Sequence, residues 1–96
     1  MTIKTLPWDS AKHLGSDDDR VAYLNAALEE AGDDPGFITQ VLGDIARSRG
    51  IERVARETGM TRQGLYKALS AEGNPELSTL LKVLRALGMK LHAEAA

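Results

Sequence analysis

The stretch that decides the fold is "RVARETGMTRQGLYKAL", residues 53–69. It reads as helix interrupted once, at Gly59, Met60 and Thr61. Gly59 is free to take the left-handed backbone that ends a helix sharply. Thr61 carries a hydroxyl that can cap the helix after it. Two short helices joined by a tight turn containing Gly make a helix-turn-helix unit. The remaining positions suit that reading. Ala55 is small enough for the helices to cross closely, Met60 can tuck under the turn, and Leu65, Ala68 and Leu69 can pack the second helix on a core.

With those three side chains inward, the second helix must expose Arg62, Gln63, Tyr66 and Lys67, with Thr61 at its start. A recognition helix enters the major groove with its N-terminal residues against base edges. There Gln pairs with adenine, Arg or Lys with guanine, and a Thr methyl touches a thymine methyl. Arg53 and Arg56 on the first helix, with Arg47 and Arg49 before it, suit phosphate neutralisation. Arg47 and Arg49 read first as helix-end charges rather than base readers. Gly64 is the anomaly, because a Gly inside a helix costs about 1 kcal/mol relative to Ala. It suits either a close approach to a DNA backbone or a tolerated surface position.

The charge pattern must be split to be understood. The 96-residue chain has a formal net charge of -2 and a pI of about 5.6. Residues 1–34 hold three basic residues against eight acids, a net of -5, whereas residues 35–96 hold nine against six, a net of +3. Six basic residues and two acids lie between Arg47 and Lys67. That asymmetry points to an anionic partner for the second half. A solvated, salt-bridged helix surface is the plainer explanation of the same residues.

Outward from the motif, the pattern is helical. "SDDDR" opens a first helix, with Ser16 or Asp17 as cap and acids at the positive helix end. Val21, Leu24, Leu28 and Ala31 give it an apolar stripe, and Gly32 stops it. Asp34 caps a second helix with Pro35 in its first position. Ile38, Val41, Leu42, Ile45 and Ala46 face inward, Phe37 lies alongside, and "RSRG" closes it. The third helix spans roughly 51–57, and the fourth runs to about Ser70. "SAEGNPEL" is a loop. A fifth helix follows from about Glu76, with Leu77, Leu80, Leu81, Leu84 and Leu87 as its stripe. "MKLHA" at residues 89–93 alternates as a short β-strand does, and such a strand needs a partner, either the N-terminal "TIKTL" or a second subunit. The expected architecture is therefore all-α, five helices that include a helix-turn-helix, with a short C-terminal β-strand. Residues 1–16 form an N-terminal extension and 17–96 a single helical domain, with the helix-turn-helix at 51–70. Trp8 reads as a lid over the core.

Three longer stretches carry a resemblance. "YLNAALEEAGDDPGFI" (23–38), "GDIARSRG" (43–50) and "ARETGMTRQGLYKALSAEGNPELSTLLKVLRALG" (55–88) together resemble the HigA-related addiction module antidotes, antitoxins with a Cro/C1-type helix-turn-helix. The resemblance runs over roughly residues 5–92. It implies an all-α, five-helix lambda-repressor-like helix-turn-helix domain, in a homodimer that represses its own operon by binding double-stranded operator DNA. It also implies a cognate RelE/ParE-type toxin encoded beside it, of a class that tends to be basic. On Thr61, Arg62, Gln63, Tyr66 and Lys67 it agrees with the reading from residues alone. A regulator without a toxin partner, and a toxin-binding module with weak DNA binding, are the other readings.

Enzyme chemistry finds no foothold. There is no Cys, hence no disulfide and no thiolate site. His13 and His92 lie at opposite ends of the chain, without helical His or carboxylate neighbours at metal-ligand spacing. "DDD" at 17–19 lacks the alternation and closing Glu of a calcium loop, and no Gly-rich phosphate loop occurs. No cofactor is expected. No apolar run approaches the ~20 residues of a membrane helix, and no signal-peptide core opens the chain, so the expected setting is cytoplasmic, with no membrane partner.

Overall fold

A computed structural model describes residues 14–96 as five helices in the order expected. They are α1 (Asp17–Ala31), α2 (Pro35–Arg49), α3 (Ile51–Thr58), α4 (Arg62–Ala68) and α5 (Leu77–Ala86). The expectations for "TIKTLPW", Trp8 and His13 fall outside the described residues. Each of the first two helices starts where a side chain satisfies a free backbone donor. Ser16 Oγ accepts from the Asp19 N–H at 3.1 Å, and Asp34 Oδ1 accepts from the Phe37 N–H at 3.2 Å. Pro35 follows Asp34 at the first helical position, where its missing N–H costs nothing.

α1 and α2 pack side by side. Their contact has an apolar centre and a polar edge. Arg20 Nε donates to Ser48 Oγ at 2.9 Å, Tyr23 OH donates to Asp44 Oδ2 at 3.0 Å, and Asp17 Oδ1 accepts from both Arg20 and Arg49 at 2.8 Å. Leu24, Val41, Leu42, Ile45, Val54, Leu65, Leu69, Val83, Leu84 and Leu87 form one core with the small Ala27, Ala46, Ala55 and Ala86. Leu14, ahead of α1, is buried in the same core.

Two stripes sit differently from the sequence expectation. On α1 the buried residues are Leu24, Ala27 and Ala31, while Val21 and Leu28 are 39% and 45% exposed. At 3.6 residues per turn, Val21 and Leu28 lie roughly 40–60° round the helix from Leu24, and Ala27 lies on its other flank. The small Ala27 allows α1 to approach α2, so the helix turns that face inward. On α5, Leu84 and Leu87 are buried with Val83 and Ala86, but Leu77 and Leu81 are 65% and 42% exposed.

The C-terminal strand does not form. Among the described residues there is no strand, and residues 89–96 carry no regular structure. Gly88, at φ +76°, ends α5, and the Met89 N–H bonds back to the Leu84 carbonyl at 2.9 Å. Met89 then packs on the core while Leu91 stays exposed. Alternation supplies two faces, but a strand also needs a neighbouring ladder, and no described segment provides one.

Candidate nucleic-acid interface

The turn between α3 and α4 is held from several directions. Gly59 takes φ +75°. Its N–H reaches the Arg56 carbonyl at 3.4 Å, and the Met60 N–H reaches the Ala55 carbonyl at 3.0 Å. This pair of bonds is a Schellman ending, completed by the apolar side chain after the Gly, since Met60 packs against the core. Thr58 is buried beneath the turn. Its hydroxyl donates to the Val54 carbonyl at 2.9 Å and lies 3.3 Å from the Met60 N–H, as an acceptor. Thr61 then caps α4, Oγ1 accepting from the Gly64 N–H at 2.9 Å.

That cap gives Gly64 a local reason distinct from both sequence readings. A Cβ on Gly64 would lie 3.1 Å from Thr61 Oγ1, close enough to press on the capping hydroxyl. The bare residue leaves the cap undisturbed.

The far end of α4 is fixed by α2, through residues that sequence reasoning passed over. Thr39 is buried, and its hydroxyl donates to the Ser70 carbonyl at 2.6 Å. Gly43 and Gly36 flank it one turn to either side. A Cβ on Gly43 would stand 2.6 Å from the Leu69 carbonyl oxygen, and one on Gly36 would stand 2.5 Å from that of Ala71. Residues 36, 39 and 43 share one helix face. That face is a bare groove in α2, into which the backbone leaving α4 settles. The signal was present in "PGFITQVLG" as two glycines seven apart with Thr between them, but its contact is distant in sequence.

Held at both ends, α4 buries Leu65 completely and Leu69 nearly so. It exposes Arg62, Gln63, Tyr66 and Lys67 in line with the exposed cap Thr61. Arg53 and Arg56 are exposed on α3. The structure therefore brings all seven candidate residues onto the outer faces of two adjoining helices. Arg62 bonds to Glu52 and Arg53 to Glu57, each at 3.3 Å and each largely in solvent, so these pairs hold the side chains only weakly. Arg56 and Lys67 enter no ion pair among the described residues. Arg47 and Arg49 are engaged elsewhere: Arg47 pairs with Asp44, and Arg49, with a side chain only 15% exposed, pairs with Asp17. The Arg49 pair ties α2 to α1, whereas the Arg47 pair lies within α2. Among the described residues no group of His, Asp or Glu is arranged to hold a metal ion, and no helix is long and apolar enough to cross a membrane.

Among the described residues, the third and fourth of five helices meet at a capped, three-residue turn in a helix-turn-helix-like arrangement with a polar and basic outer face. Comparison with known proteins gives the particular family. The family model described as "Probable addiction module antidote protein" matches residues 4–95, and the chain belongs to that family. A protein of Haemophilus influenzae (strain ATCC 51907 / DSM 11121 / KW20 / Rd), described as uncharacterized, is 43% identical over 94 residues, covering 98% of this chain and 95% of the relative. No solved structure matches. An antidote implies a toxin as partner.

Proposed function

We propose that this chain is the antitoxin of a type II toxin–antitoxin pair: it binds a RelE/ParE-type toxin and represses its own operon as a DNA-binding homodimer. The observation that carries the DNA half is the surface of α4. Thr61, Arg62 and Gln63 stand exposed at its N-terminal end, and four exposed basic residues (Arg53, Arg56, Arg62 and Lys67) share α3 and α4 with only two acids. In this reading α4 enters the major groove, Arg62 and Gln63 read base edges, Tyr66 and Lys67 reach base or phosphate, and Arg53 and Arg56 neutralise phosphates. The exposed Leu77 and Leu81 of α5 support a dimer contact, and two recognition helices would then address half-sites ~34–36 Å apart.

Titration of a labelled duplex from upstream of the chain's own gene tests this. Arg62→Ala and Gln63→Ala are each expected to weaken specific binding by about 1–3 kcal/mol and to relax base preference. Unchanged operator preference in both variants would remove α4 from the role of reader. A second reading, in which toxin binding dominates and DNA binding is weak, is favoured by one observation: the surface of α1 is strongly acidic. Co-purification with the product of the adjacent gene, combined with DNA binding no stronger than non-specific, would select it.

A further inference from the structure

The outer face of α3 and α4 is not purely basic. Two acids lie on it, and each is paired with one of its cations. Glu57 accepts from Arg53 within α3, one turn away. Glu52 does something different. Its Oε2 accepts from Nη1 of Arg62 at 3.3 Å, which joins the first turn of α3 to the first residue of α4. In the DNA reading Arg62 meets base edges, so this acid sits beside the reader. The bond spans the turn that is held by Gly59 and by the Thr61 cap. The backbones that carry Glu52 and Arg62 therefore keep one relative position.

A carboxylate in the first turn of α3 suits the positive end of that helix, which accounts for Glu52 by itself. It does not account for a partner on the next helix. Both side chains are well exposed, 58% for Arg62 and 72% for Glu52, and an exposed pair adds little to stability. Its consequence lies in what Arg62 can bind. A guanidinium has five donors, and Nη1 spends one on Glu52, leaving donors for a second acceptor. The two acceptors of a guanine edge are uncharged groups. A phosphate carries a full negative charge and meets Glu52 as a like charge. An Arg beside a carboxylate therefore keeps its hydrogen bonding to a base edge and loses much of its pull on phosphate. A free Arg makes no such distinction, and phosphate contact is what carries non-specific binding.

We infer that Glu52 is a positioning residue for Arg62: it holds the guanidinium at the start of α4 and makes it a reader of guanine edges rather than a binder of phosphate. The inference rests on the DNA reading of α4. Specificity is a difference of affinities, and a charge set against the wrong contact widens it as surely as a new contact with the right one.

The test titrates the full chain with the upstream duplex and with a duplex of scrambled sequence, over a range of salt. Glu52→Gln keeps the size of the side chain and removes its charge. It is expected to tighten the scrambled duplex by roughly fivefold, the effect of one unit charge close to a phosphate in water. The salt slope for that duplex should steepen by about 0.9 as Arg62 takes up a phosphate. Affinity for the upstream duplex should rise by about twofold at most, so the ratio of the two affinities falls by about twofold or more. Glu57→Gln removes the same charge from the same face but away from Arg62, and is expected to tighten both duplexes alike and hold the ratio. A ratio unchanged in Glu52→Gln, or an equal fall in both variants, would overturn the inference and leave the DNA reading intact. A fall that persists in the Arg62→Ala background would place the effect on another residue and overturn it equally. A wild-type chain with no preference for the upstream duplex would sink the DNA reading and this inference with it.

Discussion

Gly43→Ala sets two physical effects of opposite sign against each other. Replacing an interior helical Gly with Ala stabilises a helix by about 1 kcal/mol. On intrinsic propensity alone, the variant should melt higher. In the folded chain, however, the new Cβ meets the Leu69 carbonyl oxygen at 2.6 Å. The carbonyl must retreat by roughly 0.8 Å or more to reach ordinary contact, and it belongs to backbone, not to a side chain that can rotate away. Overpacking of this kind costs about 1–3 kcal/mol. The net expectation is a loss of about 1 kcal/mol, and for a domain this size that lowers Tm by about 4–8 °C. Gly64→Ala is the internal comparison. It gains the same propensity, and its near neighbour is a hydroxyl at 3.1 Å. Leu69 also follows the last residue of α4, so displacing it tilts the exposed helix, and operator affinity should fall by roughly tenfold at a temperature where the variant is fully folded. Scanning calorimetry and duplex titration measure both effects. A Tm for Gly43→Ala above wild type would refute the close approach of α2 to the end of α4, and with it the account of how α4 is held.

Thr39→Val keeps shape and removes the hydroxyl that donates to the Ser70 carbonyl; urea unfolding should show a loss of about 1–2 kcal/mol, whereas unchanged stability would mean that hydrogen bond contributes nothing. Thr61→Ala should cost about 1 kcal/mol through the lost cap and Thr61→Ser far less, a ranking that thermal melts can check. Arg56→Ala should lower the magnitude of the log–log salt slope of duplex binding by about 0.9 without altering base preference; a slope equal to wild type would show that Arg56 stays away from phosphate.

Local chemistry was legible in the sequence, and long-range fit was not. Ser16, Asp34 and Thr61 mark helix starts because a cap bonds to a backbone N–H three residues away. Gly59 marks the turn because its φ of +75° is a property of that residue's own backbone. The exposed set on α4 followed from Leu65 and Leu69 being buried. By contrast, α1 offers two overlapping apolar flanks. Only the helix it packs against decides that Ala27 goes inward and Leu28 stays out. "MKLHA" alternates as a strand does, but whether a ladder exists beside it is settled by the rest of the fold. Thr39 and Gly43 looked like ordinary α2 residues, since their partners Ser70 and Leu69 lie 31 and 26 positions further along the chain.

The separation of charge between α1 and the α3–α4 pair alters what net charge means for this molecule. Its described extents are 36 × 30 × 25 Å, while electrostatic influence in physiological salt decays over about 8 Å. The long dimension is several decay lengths. A polyanion at α4 therefore responds to Arg53, Arg56, Arg62 and Lys67, and a partner at α1 responds to Glu29 and Glu30. The chain's overall charge of -2 governs its migration in a gel and its solubility, and no partner in contact with it encounters that sum.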